Sequence, residues 1–229
     1  MQRLDLVLSV TATAMLLPLM VLIGLTNWIL TGRVLFRQER VGRKLRSFTT
    51  FKFQTMVDGR PGESTVTSAH DRRLTRFGRL LRAAKLDELP QLLNVIRGEM
   101  SVVGPRALTP NEVARVAHEV AAQVYSVRPG LTGLASLVLV DEERILGRVA
   151  NPEDYYFAVI LPQKIALELL YAQRKNLWLD ALIVVLTPVA IAAPGFTRAC
   201  LRRVIGVPSL SDGSANAQPA SRNAPSGGG

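Results

Sequence analysis

The chain has 229 residues, a formal net charge of +10 and one cysteine, Cys200. An internal disulfide is therefore excluded, and so is a Cys-rich zinc site. The two histidines, His70 and His118, argue against a His-based metal site, leaving a hard cation held by carboxylates and phosphate, such as Mg²⁺.

Residues 6–32 carry no charge. As one straight helix they would reach roughly 40 Å, more than a bilayer's hydrocarbon core. A spanning helix is the default reading, and the run is too long for a signal peptide. Pro18 lies near its middle and predicts a kink. Two arms of about 18 Å each would instead allow the chain to enter one leaflet and return. Basic flanks on both sides, Arg3 and then Arg33, Arg37 and Arg40, suit two cytoplasmic ends. On the residues alone the simple span is preferred, since spanning helices tolerate proline.

Residues 34–36 and 47–53 read as strands, with Gly42 in the turn between them. Alternation puts Lys52 and Gln54 on one face. Residues 58–73 read as a long polar loop, a candidate lid. Residues 74–82 return to helical spacing, with Leu74, Phe77, Leu80 and Leu81 on one side. Arg73, Arg76, Arg79 and Arg82 form a basic stripe suited to a solvated face or to anionic lipid.

The adjacent carboxylates Asp87 and Glu88 precede an apolar helix marked by Leu89, Leu92, Leu93 and Ile96. Pro90 is tolerated only in a first turn, so the helix is expected to start near Asp87, with Asp87 as its cap. The same position suits chemistry: a helix N-terminus keeps a carboxylate ionised and attracts phosphate. Asp87 is then a candidate nucleophile towards phosphorus, Glu88 a candidate ligand for a divalent cation, and Arg106 a bidentate phosphate anchor.

Residues 111–127 are expected to be one helix, with Val113, Val116, Val120 and Val124 on one face. Asp141, Glu142, Glu143 and Arg144 are read as surface charges in preference to a sugar-side contact. Asn151 with Pro152 marks a helix start. Residues 177–196 are apolar but interrupted by Asp180, Pro188 and Pro194. A helix half in protein and half at the membrane interface is expected there, with Arg198, Arg202 and Arg203 towards lipid. Residues 207–229, rich in Ser, Ala, Pro and Gly, are expected to be a disordered tail.

Six motifs fall in one order: Gln38-x-Arg40-x-Gly42, the run from Phe51 through Lys52 to Met56, and Asp71-Arg72-Arg73-Leu74-Thr75-Arg76-Phe77-Gly78. Leu86-Asp87-Glu88-Leu89-Pro90-Gln91-Leu92 follows, then the stretch from Gly98 to Gly104-Pro105-Arg106, then Arg128-Pro129-Gly130-Leu131-Thr132-Gly133. Together they resemble the bacterial sugar transferases, the monotopic phosphoglycosyl transferases that prime glycan assembly on polyprenyl phosphate.

The resemblance implies a mainly helical α+β fold: a re-entrant membrane helix kinked at Pro18 (1–32), a small-sheet cytoplasmic catalytic domain with interfacial amphipathic helices (33–206), and the tail (207–229). This reverses the preference for a span. It also implies transfer of a sugar-1-phosphate from a nucleoside diphosphate sugar, usually UDP-linked, to undecaprenyl phosphate at the inner membrane's cytoplasmic face. Asp87 would form a covalent phosphosugar intermediate, with Glu88 and Asp87 at Mg²⁺. Lys52, Arg106, Arg128 and Glu168 would contact substrate or phosphate.

Departures from the family pattern include Leu17 where a serine usually precedes the proline, Gln54 for a basic residue, and Glu168 for an aspartate. Leu134 and Ser136 replace Trp and Gln. The choice of sugar is expected to lie at Gln54, Leu134 and Ser136. The rival readings are a catalytically diverged, membrane-anchored interaction protein of the same fold, and a nucleic-acid binder. The latter lacks any recognisable motif, so no nucleic-acid partner is expected. The oligomeric state stays open, a homodimer included.

Overall fold

A computed structural model describes residues 2–57 and 71–207. Residues 58–70 of the lid expected over 58–73, and the expected tail from 208 on, lie outside the described residues.

Among the described residues the fold is mostly helical, with two small sheets. Helix α1, Gln2–Thr31, contains Pro18 and is the one helix among the described residues long and apolar enough to cross a membrane. Asp5, Ser9, Leu16, Met20, Ile23 and Asn27 recur at helical spacing and form its less exposed side; Pro18 is exposed on another face. This side lies on the rest of the protein at both ends. Asp5 accepts hydrogen bonds from Ser101 Oγ at 2.8 Å and from the Val102 amide at 3.4 Å. Some 18 residues later, Ile23 packs with Phe53 and Leu81. Roughly 27 Å of helix separates these contacts.

The hairpin β1 (Leu35–Val41) and β2 (Ser47–Phe53) is antiparallel, with Leu35 opposite Phe53 and Phe36 opposite Lys52. The first strand is longer than expected because cross-strand pairing carries it through polar residues up to Val41, which is buried at its end. Helix α2 (Arg76–Ala83) starts at Thr75, whose hydroxyl accepts the Gly78 amide at 2.8 Å. Leu81 is buried, but Leu80 points outward at 62% exposure, so the expected four-residue apolar side is only partly internal.

The segment after α2 departs from expectation. Leu86–Gln91 is a 3₁₀ turn, followed by the short helix α3, Leu92–Ile96. Lys85, at φ 56°, occupies the cap position with no capping side-chain bond. Asp87 is therefore inside the turn and does not cap a helix. Pro90 is accommodated because so short a 3₁₀ segment requires few backbone donors.

Strands β3 (Ser101–Val103) and β4 (Gly130–Thr132) are parallel, joined through α4 (Pro110–Val113) and α5 (His118–Val124). The expected single helix over 111–127 is thus two short ones that still turn their valines inward. Thr109 and Glu112 cap α4 reciprocally. A Cβ on Gly104 would stand 2.3 Å from the Arg128 carbonyl oxygen, so glycine is what lets these two strands meet.

Helices α6 (Leu134–Val138), α7 (Glu142–Leu146) and α8 (Pro152–Tyr155, capped by Asn151) lead through a π-turn, Tyr156–Ile160, into α9 (Leu161–Arg174). Then come α10 (Leu177–Ala192) and α11 (Pro194–Ile205). Leu179, Ile183, Leu186 and Ala190 of α10 enter the main core with Leu134, Leu146 and Tyr171. The opposite side exposes Leu177, Trp178, Val184, Val185 and Ile191, a half-buried helix as expected.

Candidate active site

The hairpin, the 3₁₀ turn and α9 converge on an open cleft of about 750 Å³. Period-2 alternation delivers Lys52 and Gln54 into it, with Phe36 on the neighbouring strand. Asn94 locks the hairpin to α3. Its fully buried amide donates to the Thr49 carbonyl and to Glu99 Oε2, both at 2.7 Å, and accepts the Phe51 amide at 3.3 Å. Lys52 is thereby held against the turn that carries Asp87 and Glu88.

Glu88 Oε1 accepts from both Lys52 Nζ and Arg106 Nη2, each at 2.8 Å. Burial alone would raise its pKa, but Arg106 and Lys52 outweigh burial and hold the carboxyl well below the usual range. Lys52 is lowered by burial and partly restored by Glu88. Arg106 is fixed as a cation, chiefly by Glu88.

Asp87 is the opposite case. It is buried, and its Oδ1 has no hydrogen-bond partner. Burial and then the neighbouring Glu88 charge raise its pKa, against the pull of Lys52, Arg82 and Lys85. Adjacent carboxylates thus carry different protonation tendencies, set by which one holds the cations. Burial thus works against the ionisation expected of Asp87 at a helix end.

The Arg106 backbone is gripped on both sides. Its amide donates to Glu168 Oε1 at 2.8 Å, and its carbonyl accepts from Tyr125 Oη at 3.0 Å. Glu168 is 1% exposed; burial raises its pKa to about 7. Its contact runs through the Arg106 backbone, and it does not line the cleft. Arg128 also lies off the cleft, with its guanidinium near Gly98.

Among the described residues no group of three or more His, Cys, Asp or Glu side chains gathers as a metal cage. Two adjacent carboxylates, one with an unpartnered buried oxygen, match the donor set by which Mg²⁺ is held jointly with substrate phosphates.

Of the three positions expected to choose the sugar, Gln54 lines the cleft and donates to the Met56 carbonyl. Leu134 is in the core and Ser136 is not at the cleft. Glu142 and Glu143, expected as surface charges, do line it. Glu143 pairs with Arg82 at 3.0 Å and Glu142 with Lys164 at 2.9 Å, while Asp141 binds Arg198 and Arg144. Sequence reasoning also missed Lys85, Glu112, Tyr156 and Lys164 at the cleft. One signal was present: Lys164 and Glu168 share a helix face with Leu161, Ile165 and Tyr171, so two charges stand in a core stripe.

The bacterial sugar transferase family model matches residues 1–194. The chain belongs to this family. It is 40% identical over 190 residues to a UDP-glucose:undecaprenyl-phosphate glucose-1-phosphate transferase of Caulobacter vibrioides, covering 80% of this chain and 66% of that one. An undecaprenyl-phosphate glucose phosphotransferase of Komagataeibacter xylinus is 37% identical over 80% of this chain and 34% of its own. The exopolysaccharide production protein ExoY of Sinorhizobium fredii is 31% identical over 82% of this chain and 83% of its own. The chain thus spans between about a third and two thirds of the first two relatives.

Proposed function

We propose that this chain transfers a sugar-1-phosphate from a UDP-sugar to undecaprenyl phosphate through a covalent intermediate on Asp87. The observation that carries this reading is the Asp87 carboxyl. It is buried, has an oxygen without a partner, and faces a cleft lined by Lys52, Arg82, Lys85 and Arg106. Glu88, clamped by two cations, has no comparable freedom.

An Asp87 oxygen attacks the β-phosphorus, and the bond from that phosphorus to the bridging oxygen breaks. UMP leaves with the bond's electron pair. A phosphate oxygen of undecaprenyl phosphate then attacks the same phosphorus, and the aspartyl bond breaks to regenerate the carboxylate. Burial strips water from Asp87, so its ionised form is a poorly hydrated nucleophile. Lys52, Arg82 and Lys85 favour that ionised form and attract the donor's phosphates. Arg106 presents its fork from a backbone held by Glu168 and Tyr125. Asp87 and Glu88 would hold Mg²⁺ together with the donor phosphates, and the ion neutralises phosphate charge when bound.

The named relatives support a role in priming exopolysaccharide or a related glycan. The contacts of α1 at both Asp5 and Ile23 support a re-entrant helix whose ends share one side of the membrane. Arg33, Arg37, Arg202 and Arg203 support the reading of that side as the cytoplasmic face of the inner membrane.

UMP release is the test, measured with UDP-sugars, undecaprenyl phosphate and Mg²⁺ in membrane discs. Asp87→Asn abolishes release, and wild-type protein given donor alone gains the mass of one phosphosugar. Full turnover by Asp87→Asn removes Asp87 as the nucleophile.

A further inference from the structure

One wall of the cleft carries a chain of polar groups that the phosphate chemistry does not use. Lys164 Nζ lies 2.9 Å from Glu142 Oε2, 3.1 Å from Glu142 Oε1 and 3.2 Å from Tyr156 Oη. The Tyr156 hydroxyl in turn donates to Glu112, which is already engaged by Thr109 and Arg40. These groups come from α4, α7, the π-turn and α9, so four separate segments are folded together to assemble the wall.

From this arrangement we infer that Glu142, Lys164 and Tyr156 form the subsite that recognises the sugar hydroxyls of the donor. The inference rests on the reading that this cleft binds a nucleotide sugar. Three features support it. The side chains alternate acceptor and donor, the pattern that pairs with neighbouring hydroxyls, each of which both gives and takes a hydrogen bond. The Lys164 side chain is 5% exposed and fixed, while the Glu142 side chain is 25% exposed at the cleft, so a held ammonium orients an accessible carboxylate. A carboxylate has about four lone-pair positions, and the Lys164 contacts leave some of them for a ligand.

The third feature is place. Glu142 and Tyr156 line the same cleft as Arg106, the Glu142 carboxylate helps to favour the Arg106 charge, and Arg106 bonds Glu88, next to Asp87. The sugar is joined directly to the phosphate that Asp87 attacks, whereas the ribose is one phosphate further away. The hydroxyl-rich group nearest to Arg106 is therefore the sugar. Of the three positions whose departure from the family pattern pointed to sugar choice, only Gln54 reaches the cleft; Leu134 and Ser136 do not.

The experiment uses the full chain in membrane discs. UMP release is measured for wild type, Glu142→Gln and Tyr156→Phe with UDP-glucose, UDP-galactose and their N-acetylated counterparts, alongside inhibition by UMP. The preference in kcat/KM between the best donor and its epimer is expected to fall about tenfold or more in Glu142→Gln. Inhibition by UMP should stay within about twofold of wild type, because UMP lacks the sugar. Tyr156→Phe removes one oxygen and carries the same expectation should Glu142→Gln fail to fold. A uniform loss across all donors, with a lowered melting temperature, makes the network a structural tie and overturns the inference. Weakened UMP inhibition in step with the donors assigns the wall to ribose and also overturns it. If wild type releases no UMP from any donor, the functional reading fails first and the subsite falls with it.

Discussion

Glu168 Oε1 accepts the backbone amide of Arg106 at 2.8 Å, while its other carboxyl oxygen is buried without a partner. Burial lifts this carboxyl from the ordinary 4.5 to about 7. The folded state therefore keeps a proton that the unfolded chain has already lost. The stabilisation from this group is complete below about pH 4.5 and is lost as pH rises through about 7. Glu168→Gln keeps the acceptor for Arg106 and does not titrate. Relative to wild type it should gain about 2 to 3 kcal/mol of stability between about pH 5 and pH 8. Thermal unfolding across that range checks this; parallel pH profiles for the two proteins would count against it.

Glu88 carries the opposite sign. Its pKa is depressed by Arg106 and Lys52, so its stabilisation is present above the unfolded carboxylate range and lost as pH falls through its lowered folded pKa. Glu88→Gln leaves two sheltered cations without a counter-charge. A cost of about 3 kcal/mol in stability is expected, and at least about a hundredfold loss of UMP release. The two readouts separate by adding Lys52→Met to the variant, which should restore part of the stability and none of the activity.

Asn94 acts from a distance on Lys52. Asn94→Ala removes three part-buried hydrogen bonds to β2 and Glu99, which should cost about 2 to 4 kcal/mol. Hydrogen exchange should show loss of protection at Phe51 first. Unchanged protection there would mean the hairpin holds its register unaided.

The topology of α1 is open to direct measurement. With Cys200→Ser as background, single cysteines at Arg3 and Thr31 are expected to react with an impermeant maleimide only once the cytoplasmic side is opened. Labelling of the two positions from opposite sides would make α1 a span.

Local information in the chain was enough for several features. Alternation predicted that Lys52 and Gln54 share a face, since a strand's side chains repeat every two residues whatever surrounds it. Asn151 and Pro152 marked a helix start through capping chemistry that needs only neighbouring residues. The six ordered motifs pointed to the family, and the apolar run of 6–32 marked the helix long and apolar enough to cross a membrane.

Electrostatics and long-range partnership were decided elsewhere. Asp87 and Glu88 are adjacent and nearly alike as chemical groups; only the arrival of Lys52 and Arg106 on Glu88 makes one a clamped anion and leaves the other unpartnered. The cap expected at Asp87 passed to Lys85 because tertiary packing favours a 3₁₀ turn there. Glu142 and Lys164, 22 residues apart, became one wall of the cleft only when α7 and α9 packed together. Periodicity and capping are near-neighbour properties and can be read along a chain. A carboxyl's charge depends on burial and on which cations fold against it, and those are properties of the assembled structure alone.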